Sequence, residues 1–152
     1  MSSVRGFTST GSGTLDYVRS LLHVSRQDPE LARQVTVAPL PSPVRRRIRN
    51  LVAYKACFRN AELAIRTNKG GLYVLGYWQH LIPVEHAWVR FGDVYHDPTS
   101  EILFNGKPGL FVSVVELELS QVEEIQRAIG TRDSLDLYGY FKWLGRERRE
   151  AA

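Results

Sequence analysis

A chain of 152 residues and 17.3 kDa fits one ordinary domain, since two independently folding halves would each have a meagre core. Hydrophobic residues make up 43% and charged residues 24%, near the averages for globular proteins, which excludes a fibrous or wholly disordered chain. The formal charge of +4 and pI near 9.4 favour acidic partners over basic ones, and a single cysteine excludes an intramolecular disulfide framework.

Residues 1–13 are rich in Ser, Thr and Gly and read as a flexible tail. From Thr14, Leu15, Val18, Leu21 and Leu22 recur at helical spacing and predict a helix over about 14–24. Asp28-Pro29-Glu30 opens a further short helix, and Pro39, Pro41 and Pro43 punctuate a linker. Ser42-Pro43 makes an N-cap and first-turn pair for a helix carrying Arg45, Arg46, Arg47 and Arg49. These four arginines are either a solvated helix face or an anion-binding surface.

Ala53, Cys57, Ala61, Ala64 and Ile65 share one helical face, which places Cys57 on or near a helix that ends at Asn68-Lys69-Gly70-Gly71. Three strands follow, at 72–77, 85–91 and 94–97, the last two joined by a Gly92-Asp93 hairpin. Another strand is expected at 110–118. Ser120 with Glu123 then suggests a capping box for a helix over about 121–129. A last amphipathic helix carries Leu135, Leu137, Tyr138, Phe141 and Trp143, and the charged end from Arg146 to Ala152 is expected to fray, leaving 14–145 as the single folded domain. The fold class is α+β: an antiparallel sheet packed against a central helix with the cysteine at or near its N-terminus, and extra helices at both ends.

The chemistry converges on three residues. A cysteine hydrolase needs a thiolate, an imidazole to accept and return its proton, and a group that fixes the imidazole's tautomer. Cys57 at a helix start, with His86 and Asp97 on paired strands, meets that requirement if the strands lie beside the helix. In the strand, His96 and Glu85 neighbour Asp97 and His86 and should face the other way. His23 and His80 have no convergent partners, so neither a metal site nor a cofactor is expected.

The segments Cys57-Phe58-Arg59-Asn60-Ala61, Tyr73-Val74-Leu75-Gly76-Tyr77, Pro83-Val84-Glu85-His86-Ala87-Trp88-Val89 and Asp93-Val94-Tyr95-His96-Asp97-Pro98-Thr99 resemble the core of transglutaminase-like and papain-like cysteine enzymes. The most specific piece is His86-Ala87-Trp88 followed across a short hairpin by Asp97-Pro98-Thr99. The resemblance covers about residues 50–100 and implies a papain-like fold in which Cys57 is nucleophile, His86 base and Asp97 orienting acid. It implies hydrolase or acyltransferase chemistry of the thiol-protease, amidase, deamidase or transglutaminase kind, on a protein or peptide substrate. No tryptophan flanks Cys57, so the oxyanion hole does not carry over; candidate donors are the Cys57 N–H with Gln79, Asn60 or Tyr54.

An alternative reading is a non-catalytic module that binds nucleic acid or an acidic protein through the arginine-bearing helix. The chain lacks an apolar signal segment or membrane span, so a cytoplasmic protein, or one exported without a cleavable signal peptide, is expected.

Overall fold

The computed structural model describes residues 12–106, 108–132 and 134–151. Most of the expected N-terminal tail lies outside them, and its last two positions, 12 and 13, are already helical. Helix α1 spans Ser12–Val24, and Asp28 caps a 3-10 turn over Pro29–Leu31 by accepting the Glu30 N–H. A strand that the proline-rich reading missed follows: β1, Arg33–Val35. Next come α2 (Ser42–Ile48), α3 (Cys57–Thr67), β2 (Leu72–Gln79), β3 (Pro83–Phe91) and β4 (Val94–His96). The chain ends with α4 (Pro98–Leu103), β5 (Leu110–Leu117), α5 (Leu119–Ile129) and α6 (Leu137–Ala151).

The five strands form one antiparallel sheet in the order β1-β5-β2-β3-β4. It curls until its edges nearly meet: Val37, just beyond β1, bridges Tyr95 of β4, and the Ala38 N–H donates to the Tyr95 carbonyl at 2.8 Å. The alternation of each strand thus yields an inside and an outside. Val74, Trp88, Tyr95 and Phe111 pack together within the curl, with Val35, Val37 and Trp78 against them. Tyr73, Leu75, Ala87, Val89, Val112 and Leu117 point outward into the larger core shared with α1, α3, α5 and α6.

Two devices set the curl. At Gly76 the β2–β5 register shifts, and a Cβ there would lie 2.0 Å from the Val112 carbonyl oxygen and 2.8 Å from the Trp88 ring, so only glycine lets the strands and the indole approach. Across the inner face, Glu116 of β5 accepts hydrogen bonds from Arg33, Arg90, Tyr95 and Ser113, tying β1, β3, β4 and β5 through one carboxylate.

Several boundaries differ from expectation. Helix α2 begins at Ser42 with Pro41 as its N-cap and no side-chain cap bond, rather than at Pro43 under Ser42. The capping box of α5 is Glu118 with Gln121, because the helix starts two residues early, at Leu119. Helix α4 was missed, since Asp97-Pro98 reads as well as a turn as it does an N-terminus. Helix α6 continues through the charged stretch to Ala151 instead of fraying at Arg146. The Gly92-Asp93 hairpin holds, with Phe91 paired to Val94 and Gly92 at φ 60°. The helix stop after Thr67 also holds, Lys69 and Gly71 both taking positive φ. No helix among the described residues is long and apolar enough to cross a membrane.

Candidate active site

Cys57 is the first residue of α3, and its N-cap, Ala56, offers no side chain to the helix end, so the first-turn N–H groups have no partner from the cap side chain or from within the helix. Ala61, Ala64 and Ile65 anchor α3 against the outer face of the sheet, where it packs chiefly on β3. Asn60, fully buried one turn after Cys57, aligns this end. Its side-chain oxygen accepts the Ala53 N–H at 2.9 Å, and its amide donates to the Ala53 carbonyl at 2.8 Å and to the Thr99 hydroxyl at 3.1 Å. One side chain thereby fastens the loop before Cys57, the cysteine helix and the segment after Asp97.

His86, on β3 opposite Gly76, is 7% exposed. It lies among the rings of Trp78, Trp88 and Phe111, with centroids 5.6, 6.1 and 6.4 Å away. Its Nε2 pairs with Asp97 Oδ2 at 2.9 Å. The Cys57 side chain is near enough to the imidazole to help raise its pKa.

Asp97 follows β4 and stands at the N-cap of α4, yet its side chain makes no cap bond; the carboxylate is turned to His86 instead. It is 2% exposed, and among the described residues its Oδ1 has no hydrogen-bond partner.

Burial alone would push the imidazole pKa down, because it penalises the charged ring. The Asp97 charge and hydrogen bond, with smaller help from Cys57, overcome that and raise His86 from 6.5 to about 10. The Asp97 carboxylate thus favours the charged ring, with Nε2–H donating to its Oδ2.

The structure thus pairs His86 with Asp97 and places Cys57 near enough to affect the ring, and it sends the other candidates elsewhere. The Gln79 amide oxygen accepts the Thr14 hydroxyl. The Asn60 amide is committed to Ala53 and Thr99. Tyr54 is 66% exposed, its ring edge-on to Phe104. Of the four arginines, Arg45 pairs with Glu101 at 2.6 Å and Arg47 donates to the Asn68 side-chain oxygen at 2.6 Å, while Arg46 and Arg49 are exposed.

His96 faces away as expected, its Nδ1 against the Ala38 and Pro39 carbonyls, and Glu85 turns outward to accept the Leu137 N–H at the start of α6. Sequence reasoning missed the positioning role of Asn60; its spacing of three from Cys57, inside an apolar helix face, was the available signal. Among the described residues no three His, Cys, Asp or Glu side chains converge as metal ligands would. Comparison with protein-family models finds no match, and comparisons with the curated proteins and with the solved structures find none either.

Proposed function

We propose that this chain is a cysteine-dependent acyl-transfer enzyme acting on an amide or thioester bond, built on a papain-like or transglutaminase-like core. The observation that carries the reading is the relay itself. A cysteine opens a helix close enough to a buried imidazole to influence its pKa, and that imidazole holds a carboxylate at 2.9 Å. A structural cysteine in an apolar core has no need of such neighbours.

The steps follow from the groups present. The chemistry needs the Cys57 proton to pass to His86, where the Asp97 carboxylate stabilises the charged ring, leaving sulfur as the nucleophile. The thiolate attacks the carbonyl carbon, and the oxygen that gains charge is met by the uncapped N–H groups at the start of α3. The imidazolium gives its proton to the leaving amine or thiolate as the carbon–nitrogen or carbon–sulfur bond breaks, and an acyl-cysteine remains. The neutral ring then takes a proton from water or an incoming amine, whose attack expels Cys57 and returns the proton to the pair. Asp97 keeps one tautomer in place throughout.

Alkylation is the direct test. Iodoacetamide should modify Cys57 of the folded protein at neutral pH faster than it modifies free cysteine, and His86→Ala should slow the reaction at least about tenfold. Labelling that requires denaturant, or that is indifferent to His86, rejects the proposal. An acyl adduct on Cys57, trapped from amide or thioester substrates and identified by mass, would distinguish the reaction classes.

A further inference from the structure

On the outer side of the sheet a cleft of about 590 Å³ lies between α1, β2, β3 and α6, a size within the range of small-molecule sites. Leu21 and Leu22 of α1, Tyr77 of β2 and Leu137 and Phe141 of α6 make its walls largely apolar, and Cys57, His86 and Asp97 take no part in them. Glu85 neighbours His86 along β3 but points to the opposite face, where it pairs across to Tyr77 and lines this cleft.

Two charged side chains stand on the described wall, Glu85 and Lys142. Glu85 Oε2 accepts the Leu137 N–H at 3.1 Å, closing the start of α6. Oε1 has no hydrogen-bond partner among the described residues, and it is not one of the atoms sealed from solvent. Burial raises the Glu85 pKa, the Leu137 N–H opposes that in part, and the like charge of Asp136 adds to it, while no described cation, Lys142 included, contributes. The cleft therefore offers an accessible carboxylate oxygen in apolar surroundings, beside a second negative charge and with no positive one against it. A partner that completes it donates hydrogen bonds, carries positive charge and has an apolar body.

We infer that this cleft is a ligand site for a small molecule with a primary ammonium group on an aromatic or aliphatic body, with Glu85 Oε1 as its anchor. The ammonium meets a carboxylate that is only partly hydrated, and a charge-assisted bond is roughly twice as strong as a neutral one. The body lies on Leu21, Leu22 and Phe141, and the Tyr77 ring stands beside the anchor. Lys142 is exposed and leaves the anchor unneutralised. The sheet separates the cleft from the relay, so binding there does not require Cys57 to be a nucleophile.

The experiment uses the full ¹⁵N-labelled chain near neutral pH and 2-phenylethylamine, with 2-phenylethanol and phenylacetate as neutral and anionic counterparts. The amine should shift the amides of Leu22, Tyr77, Leu137 and Phe141 saturably in the millimolar range. The alcohol should bind at least about tenfold more weakly and the acid not measurably. Glu85→Gln keeps an acceptor for the Leu137 N–H and removes the charge, so it should bring the amine down to the affinity of the alcohol. Ser25→Trp, at an exposed position on the wall, should fill the cleft and abolish binding of both with the remaining spectrum preserved. Affinity for the amine should also fall as the pH is lowered through the Glu85 titration, because the protonated carboxyl has no charge to offer.

The inference is overturned if no saturable shift develops up to about 10 mM, or if the alcohol binds as well as the amine, as it would in an apolar cleft without an anchor. It is overturned equally if free phenylalanine binds more tightly than the amine, since the wall would then select a zwitterion, with Lys142 holding its carboxylate. Should the Glu85→Gln chain fail to fold, Ser25→Trp and the pH dependence decide. These readouts are independent of Cys57 alkylation, so failure of either proposal is recognisable without the other.

Discussion

The Asp97→Asn substitution isolates the electrostatics of the relay, because asparagine keeps the acceptor oxygen for His86 Nε2–H and removes only the charge. Burial depresses the His86 pKa, and Asp97 supplies the largest opposing contribution in lifting it from 6.5 to about 10. The net rise of about 3.5 units corresponds to roughly 5 kcal/mol of preference for the charged ring. Cys57 contributes to the same rise, so the comparison belongs in a Cys57→Ala background, where only Asp97 changes. Ring ¹⁵N shifts, assigned with His86→Ala among the four histidines, should report a titration well above 6.5 when Asp97 is present. With asparagine the midpoint should fall to 6.5 or below, because burial is then opposed by a neutral acceptor alone. Stability follows by linkage. A folded-state pKa above the unfolded value stabilises fully below about pH 6.5 and loses that contribution as pH rises through about 10. In urea titrations the intact protein should therefore exceed Asp97→Asn most at neutral pH, and the gap should narrow toward pH 10. Midpoints agreeing within about half a unit, or a gap that widens with pH, would refute the assignment of Asp97 as the charge that holds the ring protonated.

Asn60→Ala removes all three of its side-chain hydrogen bonds at a fully buried position, and denaturant unfolding should show a loss of about 2–4 kcal/mol together with slower alkylation of Cys57. Gly76→Ala drives a Cβ into the Val112 carbonyl oxygen, which is backbone and cannot rotate away. Unfolding should reveal a cost of about 2–4 kcal/mol, and changed ring shifts at Trp88 and His86 should show the strain reaching the site. For Glu116, burial raises the carboxyl pKa, but hydrogen bonds from Arg33, Tyr95, Arg90 and Ser113 prevail and lower it from 4.5 to about 2. Its contribution is thus present above pH 4.5 and lost as pH falls through about 2. Glu116→Gln should remove roughly 1–2 kcal/mol at pH 7, after discounting for screening at the exposed Arg33, and should flatten the acid limb of the stability curve.

Local patterns in the sequence located most elements because each carries its own signal. The β3–β4 hairpin rests on Gly92, which alone among its neighbours tolerates φ 60° cheaply, and the end of α3 rests on the Asn68–Gly71 run. The misses share a different origin, since their stabilising partners lie far along the chain. Strand β1 is three residues long and exists because Phe111, Val112 and Ser113 pair with it, a ladder that no local window contains. Helix α4 starts at a proline whose N-cap aspartate is used by another strand, and the outer turns of α6 follow from a helix already docked by Leu137.

The same distinction governs the site. Residue types and spacing singled out Cys57, His86 and Asp97, since a hairpin register of β3 on β4 is nearly enough to set an imidazole beside a carboxylate at 2.9 Å. The approach of the sulfur is a longer-range matter. It requires α3 to pack outside the sheet while its first residue reaches a ring on the inner face, which is possible only at a rim. Strand β4 pairs with β3 only from Val89 to Phe91, which leaves the His86 stretch of β3 uncovered on that edge, while the curl closes β1 toward β4 through Val37 and Tyr95. The Asn60 contacts with Ala53 and Thr99 then set the height of the helix end against the segment that follows Asp97. A flat sheet with the same strands would keep His86 and Cys57 on opposite faces, so the proposed chemistry depends on curvature as much as on residue identity. Because Gly76 and the Glu116 network are what hold that curvature, damage to either should reach the reactivity of Cys57 without touching any of the three residues in the relay.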